Sequence, residues 1–278
     1  MDYKIVGDSC LDCNEELRDK ITIVPLVLEV GDLSVIDDDS FDQLAFIKAV
    51  QESPDCPHTA CPSPSAFMNA YEGPEKRVYC VTLSKHLSGS WNSAVVGRDL
   101  YYEEHEEDGK QIVVFSSDSA CCGEAVIAKK IMELETQNLS FEEVCSQTED
   151  FIYNMNTMFV LETLDTLKKN GRLTGMAALL ATALNIKPLM GANHGVIIKL
   201  DQARGINKAL KKLIDRIATT AEHPEQKVLG ISHCNCPDRA AYVREEISKK
   251  VRFKEIYVTN TAGVGTVYAG DGGIVVSY

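Results

Sequence analysis

The sequence predicts an α/β protein of two domains: an N-terminal three-layer α/β/α domain with a mainly parallel sheet, and a C-terminal two-layer α/β domain with a mixed sheet. Three observations carry this reading. The chain has 278 residues, more than one small core needs and fewer than three ordinary domains would use. Short β-branched runs alternate with longer helical patterns through the first half, the mark of parallel βα units. After the long helical stretch that begins at Ser140 the rhythm of the strands changes. A domain boundary is therefore expected near residues 152–157, giving domains of 1–155 and 156–278.

The elements follow in order. Strands are expected at residues 3–7, 23–30, 78–83 and 112–116, then at 158–161, 196–200, 228–232 and 256–259, with a terminal strand over 274–278. Ser40 with Gln43 and Ser140 with Glu143 each have capping-box spacing, and Ser63-Pro64 puts proline at a first helical position. Gly73 and Gly171 read as helix stops. The acidic run from Glu103 to Asp108 reads as a solvated helix end. Residues 176–184 form a nearly all-apolar helix, which suits either plain core or the wall of an apolar tunnel.

Composition removes several classes of function. A net charge of −13 without any basic stripe opposes nucleic-acid binding. The N-terminus runs straight into a strand-like segment, without the charge and apolar pattern of a secretory leader, and no apolar run has membrane-span length. A soluble, cytoplasmic protein is expected. The ten cysteines sit mostly in apolar segments, as reduced small hydrophobes do.

Three segments carry candidate chemistry. In His58-Thr59-Ala60-Cys61-Pro62-Ser63-Pro64-Ser65, prolines stiffen a hydroxyl-rich loop before a helix start, where unpaired N–H groups suit an anion. In Val81-Thr82-Leu83-Ser84-Lys85-His86-Leu87-Ser88-Gly89-Ser90-Trp91, an apolar strand ends in a turn with Ser88 at its mouth. Taken singly, each hydroxyl reads as a helix cap. Their place at the same end of successive βα units favours a ligand, since open α/β sheets bind at strand C-terminal ends. In the third segment a helix stops at Gly171 and another starts at Thr174, which holds Arg172 between them as a fixed cation.

Other chemistries fit less well. A serine hydrolase would need a base at Ser88, but His86 lies only two residues away and the Gly-x-Ser-x-Gly elbow is absent. Cys10-x-x-Cys13 with His233-Cys234-x-Cys236 has plausible metal-ligand spacing, although the two pairs are far apart in sequence. The glycines at 263, 265, 270, 272 and 273 read as tight turns before the last strand rather than as a nucleotide loop opening a helix.

Asp8-Ser9 after the first strand, Thr59-x-x-Pro62-Ser63-Pro64, Leu83-Ser84-x-x-Leu87-Ser88-Gly89, Gly171-Arg172-Leu173, Asn185-Ile186-Lys187-Pro188 and Arg204 together resemble the DegV family over essentially the whole chain. The resemblance implies two α/β domains that bury a long-chain fatty acid, with no cofactor, no metal and no catalytic centre of their own. It implies that Thr59 and Ser88 hydrogen-bond the carboxylate with Arg172 beside it, and that Gly89 and Thr261 lie near the head group. The acyl chain is expected along Phe159, Leu180 and Leu184. It further implies a separate ATP-dependent fatty acid kinase subunit as partner, and is compatible with transient membrane contact but not integral insertion. Thr261-Ala262-Gly263-Val264-Gly265 departs from the family's usual His-x-Gly-Pro-Gly, so a role carried by that histidine is not expected here. The alternative is a small-molecule hydrolase or transferase using the same interdomain cleft.

Overall fold

β-Branched strands and capped helices alternate from the first residues of the computed structural model, which describes residues 3–106, 109–173 and 185–278. In order these are β1 (Tyr3–Asp8), α1 (Glu15–Arg18), β2 (Ile21–Val24), β3 (Val27–Val30), β4 (Leu33–Ile36), α2 (Gln43–Glu52), β5 (His58–Ala60), α3 (Pro64–Ala70), β6 (Arg77–Thr82), α4 (Ser90–Glu104), β7 (Gln111–Ser116), α5 (Cys122–Glu135) and α6 (Phe141–Asn154). Then come β8 (Thr157–Val160), α7 (Asp165–Lys169), β9 (Ile186–Asn193), β10 (Val196–Arg204), α8 (Ile206–Thr220), β11 (Val228–His233), α9 (Pro237–Ser248), β12 (Glu255–Asn260), α10 (Gly263–Ala269) and β13 (Ile274–Ser277). The apolar stretch 176–184, with Leu180 and Leu184, lies outside the described residues.

A parallel sheet of order β2-β1-β6-β7 forms the first layer, with Ile5 opposite both Ile21 and Tyr79. Alternate residues face opposite sides, as the pleat requires. Val6, Val78 and Cys80 pack with Phe67, Tyr71 and Ala94 of the α3–α4 side. Ile5, Tyr79 and Val81 pack with Ala125, Ile131 and Val144 of the α5–α6 side. Helices therefore cover both faces, giving the three layers expected.

The second sheet is mixed, of order β10-β9-β8-β13-β11-β12. Only β11 and β12 run parallel, while β13 pairs antiparallel with both β11 and β8. β9 and β10 form a hairpin through His194 and Gly195, both at positive φ (46° and 79°), the geometry of a two-residue turn matched to strand twist. One face of this sheet, with Met158, Val160, Ile231 and Val276, buries Leu213, Ile214, Val243 and Ile247 of α8 and α9. The other face, with Phe159 and Val275, belongs to the cluster that includes Cys10, Leu28, Leu83 and Val264. Helix α5 closes against it so tightly that a methyl on Gly230 would lie 2.9 Å from Cys122 Cβ.

Three expectations need correction. The run 23–30 is two strands, because Pro25 has no N–H to extend the ladder. β2 ends in the parallel sheet, and β3 starts a separate antiparallel sheet of order β4-β3-β5. Thr59 therefore lies on β5, opposite Leu28 of β3, and not after a strand of the parallel sheet. The cap of α2 is Asp42, whose carboxylate accepts the Ala45 N–H at 3.0 Å, while Ser40 donates to Asp38 at 2.6 Å. Gly263 and Gly265 lie within α10, not in tight turns. The Ser140–Glu143 capping box and the Ser63-Pro64 start of α3 form as expected.

Candidate functional site

A narrow cavity, partly open to solvent, lies between β5, the turn after β6, the end of α7, α10 and the inner face of the mixed sheet. Its walls are largely apolar, with Leu83, Leu87, Phe159, Leu161, Leu167 and Val275 among them. Thr59, Ser88, Arg172 and Tyr268 also face it. The three residues expected at a carboxylate, and Phe159 expected along the chain, thus line one enclosure although they come from distant parts of the sequence.

Each polar residue has a local reason for its place. Ser88 sits in a turn whose Leu87 and Ser88 N–H groups donate to the Ser84 carbonyl at 2.9 and 3.1 Å. Its hydroxyl accepts the Ser90 N–H and lies 3.2 Å from the Ser90 hydroxyl. Gly89, not Ser88, is the N-cap of α4, and the Ser88 hydroxyl instead bonds the first helical N–H while facing the cavity. Gly89 packs closely against the other hydroxyl loop, where a methyl would come 3.1 Å from Cys61 Sγ.

Arg172 follows a Schellman stop. Gly171, at φ +76°, donates to the Lys168 carbonyl at 3.1 Å, and Arg172 donates to the Leu167 carbonyl at 2.9 Å. The guanidinium Nε donates to the Leu87 carbonyl at 3.2 Å, Nη1 donates to the Asn170 carbonyl, and its carbon lies 5.6 Å from the Tyr268 ring centre. Asn170 Nδ2 donates to the Pro57 carbonyl at 2.9 Å, tying the α7 end to the approach of β5.

Thr261 is not part of the cavity lining. It is buried against α2, where Gln43 Nε2 donates to its carbonyl at 3.0 Å and to its hydroxyl at 3.1 Å, and to the Thr266 hydroxyl at 2.9 Å. Val264 and Gly265 from the same segment reach the cavity instead. The start of α10 is already occupied by an internal anion: Asp37 accepts the Gly263 and Val264 N–H groups at 2.7 and 2.9 Å. Tyr268 was missed because a tyrosine after a glycine-rich stretch has no local signal to mark it as facing a site.

Behind the cavity lies a set of buried acids. Asp8 accepts the Cys10 and Leu83 N–H groups at 3.0 Å each, yet burial still pushes its pKa up to about 6. Asp12, bonded by the Ser232 hydroxyl at 2.6 Å and the Ala262 N–H at 2.8 Å, is pushed by burial to about 7. Burial raises Glu124 well above the ordinary carboxyl range, and neither of its oxygens accepts a hydrogen bond from any described residue. Asp8, Cys10 and Glu124 bring their donor atoms within 4.8 Å of one another. The backbone bonds to Asp8 and a proton retained on Glu124 account for this trio. Among the described residues, Cys13, His233, Cys234 and Cys236 form no such group. The Cys10 thiol, which reaches the cavity wall, is held protonated by its hydrogen bond to Cys121 and by burial. It is no ready nucleophile.

The model of the DegV family, described as a family of uncharacterised proteins, matches residues 2–278. The chain belongs to the DegV family. A DegV family protein from Ruminococcus gnavus, solved with vaccenic acid, is 44% identical, with complete coverage of both chains and a TM-score of 0.96. The Fatty Acid Kinase (Fak) B3 protein of Streptococcus pneumoniae, solved loaded with linoleic acid, is 29% identical over 100% of this chain and 99% of its own, with a TM-score of 0.90. A DegV domain-containing protein of Streptococcus pyogenes is 32% identical over 100% of this chain and 99% of that protein. The two-domain DegV fold thus accounts for the parallel and the mixed sheet described above. No helix among the described residues is long and apolar enough to cross a membrane.

Proposed function

We propose that this DegV protein binds a long-chain fatty acid, its carboxylate at Thr59, Ser88 and Arg172 and its chain along the Phe159 wall, and presents it to a separate ATP-dependent kinase subunit. The observation that carries this is that two hydroxyls and a guanidinium, Thr59, Ser88 and Arg172, line one largely apolar cavity, which Asp118, Ser119 and Thr157 also reach. An ionised carboxylate leaving water needs hydrogen bonds and a countercharge, and these groups supply both. Burying about sixteen carbons at roughly 0.8 kcal/mol per methylene contributes on the order of 12 kcal/mol before ordering costs, so the tail dominates affinity and the head sets register. The fatty acids held by the Ruminococcus gnavus and Streptococcus pneumoniae relatives support the ligand class.

In this reading the chain works in the cytoplasm, needs no cofactor and supplies no catalytic group. Ser88 is bonded to Ser90 rather than to a base, the Cys10 thiol is kept protonated, and the α10 start is filled by Asp37. The units divide at 155/156 in the same proposal, the parallel sheet lying before that point and the six mixed strands after it. Kinase delivery draws its support from the likeness to the Fak B3 protein.

Organic extraction of the purified chain followed by mass spectrometry is expected to release a long-chain fatty acid. Thr59→Ala with Ser88→Ala is expected to lower fatty-acid affinity by about a hundredfold to ten-thousandfold, from two lost charge-assisted bonds, while leaving thermal unfolding of the unliganded form nearly unchanged. A well-folded protein that neither carries nor binds any fatty acid would count against the proposal. Acyl-phosphate formation with an added fatty acid kinase subunit and ATP tests delivery separately.

A further inference from the structure

Tyr268 joins two residues of the carboxylate site through two different parts of its side chain. Its hydroxyl lies 3.2 Å from Thr59 Oγ1, with either oxygen able to donate, and the Arg172 guanidinium lies over its ring at 5.6 Å. All three residues line the cavity. Paired with each other, two hydroxyls use one proton and leave the second for another acceptor. A carboxylate has two oxygens and about four acceptor positions, so it can take both protons from one side.

The helix that carries Tyr268 is held firmly. Asp37 accepts its first two N–H groups, Asp12 accepts the Ala262 N–H at 2.8 Å, and Gln43 bonds Thr261 and Thr266. The phenol is therefore presented in a set position, as a preorganised donor must be. An apolar wall around it increases the cost of leaving a carboxylate underbonded, and so the worth of each donor.

We propose that Tyr268 is a carboxylate-binding residue of this site, its phenol donating beside Thr59 and Ser88 while its ring positions Arg172. This rests on the fatty-acid reading above. It adds a donor from the C-terminal domain to the two hydroxyls of the N-terminal domain, so that the head group bridges both.

The test uses the full chain, stripped of lipid, with vaccenic acid and the alcohol of the same chain as probes. Tyr268→Phe keeps the ring and removes one O–H. It is expected to weaken the acid by about ten- to a hundredfold, the range of a hydrogen bond to a charged group, and to weaken the alcohol less, by about tenfold at most, the range of a neutral hydrogen bond. Tyr268→Leu, which also removes the platform under Arg172, is expected to weaken the acid further. Equal affinity of Tyr268→Phe and the parent chain for the acid would overturn the assignment, and so would an equal loss for acid and alcohol, the pattern of altered packing alone. A parent chain that binds neither probe would overturn the underlying fatty-acid reading, whatever the variants do.

Discussion

Glu124 has no exposed surface and neither of its oxygens accepts a hydrogen bond from the described residues, while Asp8 beside it accepts two backbone N–H groups. The consistent arrangement is a protonated Glu124 against an Asp8 that carries the charge. Both acids, and Asp12, have folded pKa values raised above their unfolded ones, so the folded chain holds protons that the unfolded chain gives up. That stabilisation is complete below the unfolded pKa near 4 and is lost as pH rises through about 6 for Asp8 and about 7 for Asp12. For Asp8 the shift from 3.8 to about 6 corresponds to a contribution on the order of 3 kcal/mol. Urea unfolding is expected to give lower stability at pH 8 than at pH 5. Glu124→Gln, a neutral donor of similar shape, is expected to flatten that slope. A slope as steep as that of the parent chain would sink this account.

At the scale of elements, α3 and α4 meet without room for a side chain at Gly97. A methyl there would lie 2.5 Å from the Pro64 carbonyl oxygen and 2.9 Å from Phe67 Cβ. Gly97→Ala is expected to cost about 1–3 kcal/mol in chemical denaturation, because backbone on the α3 side must move. As α3 follows directly on β5, fatty-acid affinity is expected to fall with it. Sequence logic worked well for elements whose signals are local: the Ser140 box, the Ser63-Pro64 start and the Gly171 stop all form. It failed where one apolar run serves two sheets, as at Pro25, and where a three-residue strand such as β5 is too short to show a period. The Ser40–Gln43 spacing misled for a different reason. Asp42 caps the helix, and Gln43 is spent on Thr261 and Thr266, more than two hundred residues away.

For the whole molecule, walls from both units enclose the proposed ligand, so its binding couples them. At a free fatty-acid concentration about 100 times Kd, linkage contributes about 2.7 kcal/mol, which for a chain of this size is expected to raise the melting temperature by roughly 5–10 °C. Calorimetry of stripped and loaded protein checks this. One transition moving as a unit is expected, and a shift confined to one of two resolved transitions would place the ligand in a single domain.

The sequence by itself determined the α/β class, most strands and helix ends, and the candidates Thr59, Ser88 and Arg172, because hydrophobic period, caps and turn residues act over a few neighbouring positions. Arg172 was legible as a cation held at a helix stop, and the family resemblance supplied the role for it. Only the tertiary structure decided that Thr59 leaves the parallel sheet for a small antiparallel one, that Thr261 turns toward Gln43 and away from the cavity, and that Tyr268 faces Thr59. That last contact spans 209 residues. No local pattern encodes such a meeting, since it depends on where α10 is anchored by Asp37 and Asp12, and that anchoring exists only once both domains have closed on the same core.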